Sequence, residues 1–178
     1  KLLTESSLSD SHIVQSNELF YHLDLHSSIC ARNSKQLVKQ VSTLHFNFKE
    51  QVANSDVIFV TFGTAFVYEF LETKEVIANC HKLPSKHFKK RLLSVEEVVS
   101  TFRLVVDSNP TKRFVFTVSP VRHTREGLSE NMLSKSILRV ATAELCKHSN
   151  VEYFPSYEMM LDDLRDYREK LTPGNRRL

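Results

Sequence analysis

Glycine is scarce in this sequence, with three residues among 178. Gly63, Gly127 and Gly174 stand far apart, so neither a GxGxxG dinucleotide-binding pattern nor a P-loop can be written. Glycine-rich phosphate cradles are therefore excluded, and we expect no cofactor.

Cysteine is equally sparse, and the odd set of Cys30, Cys80 and Cys146 contains no CxxC pair. This argues against a disulfide framework and predicts a reduced, cytoplasmic setting. No apolar run approaches the ~20 residues that a membrane helix needs. The first residues also lack the apolar stretch of a signal peptide. We expect a cytoplasmic protein that has no membrane partner.

The charge is nearly balanced, with 24 Lys and Arg against 21 Asp and Glu and a formal net charge of +3. This is too mild to predict nucleic-acid binding. Residues 81–91 hold five Lys or Arg and no acid, but Phe88 is their only aromatic residue. We interpret this basic segment as a solvated loop and expect no nucleic-acid partner.

Hydrophobic periodicity predicts four helices alternating with buried strands. The predicted order is helix 33–53, strand 57–62, a hairpin of 66–71 and 75–80, loop 81–91, helix 94–107, strand 113–119, helix 129–148, strand 151–154 and a helix from Ser156. The apolar run 57–62 is typical of a strand buried on both faces. In the third helix, an inward stripe of Leu133, Ile137, Val140, Ala141 and Leu145 is expected.

This alternation predicts one α/β domain over residues 1–178 with a mostly parallel sheet and irregular ends at 1–18 and 169–178. Ligand sites in such sheets lie beyond the carboxyl ends of the strands. Those ends fall at Gly63-Thr64, at Ser119 to His123, and from Pro155 onward.

Several segments at these ends carry a family resemblance. They are TFGTAFVY (61–68), NCHKLP (79–84), TVSPVRH (117–123), NMLSKSILRVA (131–141), YFPSYEMMLDDLRDYR (153–168) and the pair His26-Ser27. Together they resemble the GSCFA-domain family in the same order over roughly residues 20–168. That family is grouped with the SGNH-type hydrolases.

The resemblance implies a three-layer α/β/α, flavodoxin-like fold, of which this chain could form an incomplete version. It also implies a serine ester hydrolase or acyl transferase that acts on a small ester or an acylated carbohydrate. Two family segments do not occur in this sequence: the N-terminal G-S-C-F-A, whose Ser is the expected nucleophile, and the C-terminal His-Pro, whose His is the expected base. Either segments outside this sequence supply that chemistry, or the chain is a non-catalytic fragment or binding module that keeps the cleft.

Candidate site residues follow from the strand ends and the matched segments. His81 and His123 are candidate catalytic residues, and the candidate substrate or oxyanion ligands are Gly63, Thr64, Asn79, His26, Ser27 and Arg122. We expect Gly63, Thr64, Asn79, His81 and His123 to share one concave surface. A Cys80 nucleophile is disfavoured because adjacent residues on a strand point to opposite faces, so His81 could not easily reach it. A zinc site from His22, His26, His81 or His123 has no ligand spacing behind it, so no metal is expected.

Overall fold

The computed structural model describes residues 8–123, 125 and 127–164. The described strands are β1 (Ile13–Ser16), β2 (Leu19–His22), β3 (Cys30–Ala31), β4 (Val57–Phe62), β5 (Phe66–Phe70), β6 (Glu75–Ile77), β7 (Phe88–Leu92), β8 (Arg113–Val118) and β9 (Val151–Tyr153). The described helices are α1 (Ser34–Ala53), α2 (Val95–Asp107), α3 (Leu128–Leu145) and the short α4 (Ser156–Glu158), which continues as a π-helix over Met159–Asp163. The expected irregular end at 169–178 lies outside the described residues.

A parallel sheet of order β4-β8-β9 forms the centre of the mixed α/β fold. Val57 pairs with Arg113 and Phe62 with Val118 along its first ladder, and Phe114 pairs with Val151 in the second. Parallel neighbours require crossover connections, and α2 and α3 lie in those crossovers. The prediction that these three strands are adjacent and parallel is confirmed.

Side-chain caps hold the starts of α1 and α2. Asn33 caps α1 by accepting a hydrogen bond from the backbone N–H of Gln36. Ser94 and Glu97 form a capping box at the start of α2, each side chain accepting from the other's backbone N–H. Both helices begin within one residue of the predicted starts at 33 and 94.

Helix α3 presents a different face to the core from the predicted one. Leu133 and Val140, predicted to point inward, are exposed, whereas Ala141 and Leu145 are buried as expected. The inward face also carries Ser134 and Lys135. The prediction followed apolar residues alone, but the backbone of neighbouring loops satisfies these two polar side chains, as described below.

One face of β4 is more exposed than the sequence predicts. Ile58 and Val60 pack against the core that α2 and α3 share with the sheet, but on the other face the ring of Phe59 is 70% exposed. Burial of β4 on both faces is therefore wrong. The physical reason is the position of α1, which packs its buried Leu37 and Val41 with β2 and β3.

Two antiparallel sheets complete the described fold. Strands β1, β2 and β3 form the first, so the lead-in expected to be irregular through residue 18 contains a strand. The second has the order β6-β5-β7 and includes the predicted hairpin. Strand β7 replaces part of the loop predicted at 81–91, because Phe88 packs against Phe70 and the register places Lys90 beside Tyr68.

The two antiparallel sheets contact each other around Leu23. This fully buried residue packs with Phe70 and Ile77. Its carbonyl oxygen accepts from the backbone N–H groups of Ala78 and Asn79 at 3.0 and 2.8 Å. The segments after β2 and after β6 are thereby held side by side. Among the described helices, none combines the length and the apolar character needed to cross a membrane.

Candidate active site

A sharp turn follows the two bonds to Leu23. His81 and Lys82 have φ values of 46° and 59°, in the left-handed region that non-glycine residues seldom occupy. The backbone N–H of His81 donates to the Asn79 side-chain oxygen at 2.9 Å. Backbone conformations of this kind persist where the surroundings impose them, and they concentrate at functional sites.

This turn directs the His81 ring inward, where it is 5% exposed and stacks on Tyr21 with 4.8 Å between ring centroids. Its Nε2 lies 2.8 Å from the backbone carbonyl oxygen of His22. A carbonyl oxygen only accepts, so Nε2 carries the proton. In the neutral ring Nδ1 then holds a lone pair, and that atom lies 3.3 Å from Ser27 Oγ.

Ser27 stands at the surface above this ring. Its Oγ also receives a hydrogen bond from Asn79 Nδ2 at 3.1 Å. Burial lowers the pKa of His81, the bond to the His22 carbonyl opposes that shift, and the nearby His26 lowers the pKa further. His81 is therefore held neutral at neutral pH. We call His22, Ser27, Asn79 and His81 the Ser27 group.

A second polar cluster lies at the carboxyl ends of β4 and β8. One face of α3 supplies Asn131, Ser134 and Lys135, which the i, i+3, i+4 spacing places together. They contact the loops that follow the two strands, and these loops contribute Gly63, Thr64, Ser119 and His123. We call these seven residues the strand-end group.

Ser134 satisfies the loop after β4. Its Oγ accepts from the backbone N–H of Ala65 at 2.7 Å and lies 3.0 Å from Thr64 Oγ1. Thr64 Oγ1 in turn accepts from the backbone N–H of Phe66 at 3.1 Å. The turn at Thr64 is therefore fixed by side chains.

Lys135 joins both loops. Its Nζ donates to the carbonyl oxygen of Gly63 at 2.5 Å and to that of Ser119 at 2.7 Å. The side chain is 1% exposed, and this burial lowers the pKa of its ammonium group.

Gly63 and His123 meet at this edge. A Cβ atom built on Gly63 would lie 3.7 Å from His123 Nε2, so the bare backbone lies next to the ring. The backbone N–H of His123 donates to Asn131 Oδ1 at 2.8 Å, which ties the loop after β8 to α3. The exposed Arg122 lies close enough to Tyr157 for its charge to lower the pKa of that phenol, against a larger effect of burial that raises it.

The structure thus brings the sequence-predicted residues into two sets. Ser27, Asn79 and His81 form one, and Gly63, Thr64 and His123 belong to the other. His26 is exposed beside Ser27, where its Nδ1 lies 3.0 Å from Ser28 Oγ. The β5–β6 hairpin connects the sets, since its register returns the chain from Ile77 toward the start of β5. The convergence of both sets on one surface stays a prediction.

Sequence reasoning missed two parts of the site. Ser27 is predicted as a candidate substrate or oxyanion ligand and not as a partner of His81, because nothing local links two residues 54 positions apart. Asn131, Ser134 and Lys135 were missed because the helix was interpreted from its apolar residues alone. Three polar residues at i, i+3 and i+4, in the first turns of the helix that follows the second predicted strand, were the available signal.

Cysteine and metal chemistry find little support in the described residues. Burial raises the pKa of Cys80, which keeps its sulfur in the weakly nucleophilic thiol form. Within residues 8–123, 125 and 127–164, no three His, Cys, Asp or Glu side chains are grouped so that they could hold a metal ion.

Comparison with known families agrees with the motifs at the strand ends. The GSCFA family model matches residues 1–169, which is nearly the whole chain. The chain belongs to the GSCFA family. No curated protein and no solved structure matches this GSCFA chain.

Proposed function

We propose that this GSCFA protein is a serine-type ester hydrolase or acyl transferase in which Ser27 is the nucleophile and His81 the general base. Serine catalysis requires a hydroxyl, a base within reach of it and a third group that orients the base. Ser27, His81 and the His22 carbonyl have these relative positions. This arrangement is the observation that carries the proposal.

The protonation state of His81 supports the proposed role. A base must be neutral to accept a proton, and burial favours the neutral ring. The distance of 3.3 Å between Ser27 Oγ and His81 Nδ1 is slightly long, as is common for catalytic hydrogen bonds before substrate binds. The exposed Ser27 is reachable from solvent, whereas the ring behind it is not.

In the proposed reaction, Ser27 Oγ attacks the ester carbonyl carbon as its proton passes to His81 Nδ1. The His22 carbonyl stabilises the resulting imidazolium by accepting from Nε2. His81 then gives the proton to the leaving alkoxide, and the alcohol departs from an acyl-Ser27 intermediate. Water or an acceptor alcohol attacks this intermediate by the reverse sequence. Asn79 Nδ2, which already donates to Ser27 Oγ, is placed to donate to the carbonyl oxygen as negative charge develops there.

The substrate proposed is a small ester or an acylated carbohydrate, with Gly63, Thr64, Arg122 and His123 on the substrate side. The proposed fold is a three-layer, flavodoxin-like arrangement of SGNH type. We also propose a cytoplasmic location and no nucleic-acid or membrane partner. Family membership and the parallel sheet, whose strand ends carry the strand-end group, support the fold and the position of the substrate side.

A binding module is the second candidate. Asn79 bonds both Ser27 and the backbone of His81, so the same contacts could serve only to stabilise the turn. In that case the chain would bind an ester without cleaving it, or the reacting Ser and His would come from other segments, as the family resemblance implies.

Hydrolysis of p-nitrophenyl acetate by the 178-residue chain separates these candidates. We expect turnover that Ser27→Ala abolishes and that the matched control Ser28→Ala retains, since Ser28 is the exposed neighbour that contacts His26. Turnover that survives Ser27→Ala would refute Ser27 as nucleophile, and loss in Cys80→Ser would assign the reaction to the thiol. Binding of the ester without turnover would favour the binding module.

A further inference from the structure

Lys135 is the most completely enclosed charged side chain among the described residues. Within the part of the chain that the structure describes, its hydrogen-bond partners are the neutral carbonyl oxygens of Gly63 and Ser119, and no carboxylate bonds to it. A buried ammonium group without a carboxylate partner is costly, and the lowered pKa of Lys135 reflects that cost. An apolar side chain of similar length would fill the same space without this cost of burying a charge. Core packing alone therefore does not explain a lysine here.

The two carbonyl groups identify what Lys135 controls. Gly63 directly follows β4 and Ser119 directly follows β8, and these strands are parallel neighbours. The adjacent backbone bond from Ser119 N–H to the Phe62 carbonyl, at 2.8 Å, ends the ladder between them. Just beyond this point, Lys135 joins the two loops with two short bonds from a single nitrogen.

The loops held by Lys135 carry the exposed part of the strand-end group. His123 lies four residues beyond Ser119, and its Nε2 is 3.7 Å from the position that a Cβ atom on Gly63 would occupy. Asn131, one turn earlier on α3, holds the backbone of His123. One face of a single helix thus sets the position of Gly63 relative to His123.

We propose that Lys135 is a positioning residue that fixes the Gly63 and Ser119 loops so that Gly63 and His123 face a bound ester together. The inference rests on the proposed function, because it assigns the substrate side of that reaction to the strand-end group. Lys135 itself contacts neither the ester nor Ser27 in this account, and it acts through the two carbonyl groups.

NMR of the 178-residue chain tests the positioning independently of activity. Lys135→Met keeps the side-chain length and removes both hydrogen bonds, and Lys147→Met makes the same change at an exposed position just beyond the end of α3. We expect Lys135→Met to move the amide signals of Gly63 and Ser119 and the ring signals of His123. Amide exchange in these loops should rise about tenfold, while the amides of β8 stay protected. Unchanged loop signals in Lys135→Met would overturn the proposal, as would equal changes in Lys147→Met.

Kinetics with p-nitrophenyl acetate then test the consequence. Lys135→Met should lower kcat/KM by up to about 10²-fold, the size of effect that misplacement by ~1 Å produces. Lys135→Gln, which can donate to one carbonyl, should recover part of the rate. Lack of turnover in the unmodified chain would refute the proposed function, while the NMR comparison would still decide the role of Lys135. If neither Lys135 variant folds, the residue supports the whole fold and the positioning role is wrong.

Discussion

The Ser27 group and the strand-end group hold polar side chains in opposite ways. The Ser27 group combines His22, at the end of β2, with residues from loops of two different sheets, and its turn has a left-handed backbone at His81 and Lys82. The strand-end group is organised by one regular helix face, with Ser134 and Lys135 buried against backbone atoms. In the first group an exposed hydroxyl faces a buried base. In the second, the buried atoms bond to loops and only the loop residues reach solvent. This difference is the basis for our proposal that the first group carries the chemistry and that the second positions the substrate side.

The largest expected effect is the loss of the proposed base. His81→Ala should lower kcat/KM for ester hydrolysis by about 10²–10⁴-fold, because general-base assistance is typically of that size. His87→Ala, at an exposed histidine outside both groups, is the control and should change the rate little. Steady-state kinetics with far-UV circular dichroism checks both variants, and a rate that survives His81→Ala in a folded protein would place the base elsewhere.

Ser134→Ala should affect stability rather than chemistry. It leaves the buried N–H of Ala65 without its acceptor, which costs about 1–3 kcal/mol of unfolding free energy. Ser136→Ala makes the same change on the exposed face of α3 and corrects for the higher helix propensity of alanine. Urea denaturation of both variants measures the difference. Equal stabilities would show that the Ala65 bond is replaced by another partner.

Activity and stability should both depend on pH through His81, which belongs to the Ser27 group. Burial lowers the pKa of His81 below its ordinary value of 6.5, so the base form persists to mildly acidic pH. We expect kcat/KM to be level at neutral pH and to fall about tenfold per unit below the folded pKa. Stability should fall as the pH drops from 6.5 to the lowered folded pKa of His81 and then level off, because over that range the unfolded chain binds the proton more readily. His81→Asn should remove the stability change, and a profile centred above 6.5 would contradict the burial argument.

The smallest effect concerns the strained turn. Lys82 is exposed and has a φ of 59°, a conformation that glycine adopts without steric cost. Lys82→Gly should therefore raise the free energy of unfolding by about 0.5–1 kcal/mol, less the entropy that glycine adds to the unfolded chain. Thermal denaturation measures this change in unfolding free energy, with Lys86→Gly as a control in the same basic segment. Destabilisation by Lys82→Gly would indicate that the Lys82 side chain has a role of its own.

The sequence predicts the parallel sheet well because its strands are apolar runs that alternate with helices, and the first of these runs ends at Gly63. It fails where polar residues satisfy one another over long separations. The inward turn of Lys135 depends on carbonyl groups 72 and 16 positions away. Strand β1 was missed because its short segment, IVQS, follows a serine-rich stretch and is stabilised by pairing with β2.

The sequence predicts many residues of the candidate site, but it does not predict how they are arranged. Asn79, His81 and His123 were identified from motifs and strand ends, but periodicity says nothing about which ring nitrogen faces which atom. The pairing of Ser27 with His81 required the bonds to Leu23 that bring two sheets together. A local pattern cannot encode such a contact.

Covalent labelling tests the central claim most directly. The 178-residue chain would be treated with a fluorophosphonate, whose phosphorus a reactive serine attacks with loss of fluoride, and the modified residue located by peptide mass spectrometry. The account predicts one adduct on Ser27, formed far more slowly in His81→Ala and retained in Ser28→Ala. An unlabelled Ser27 in the folded chain, or labelling at the same rate without His81, would contradict it.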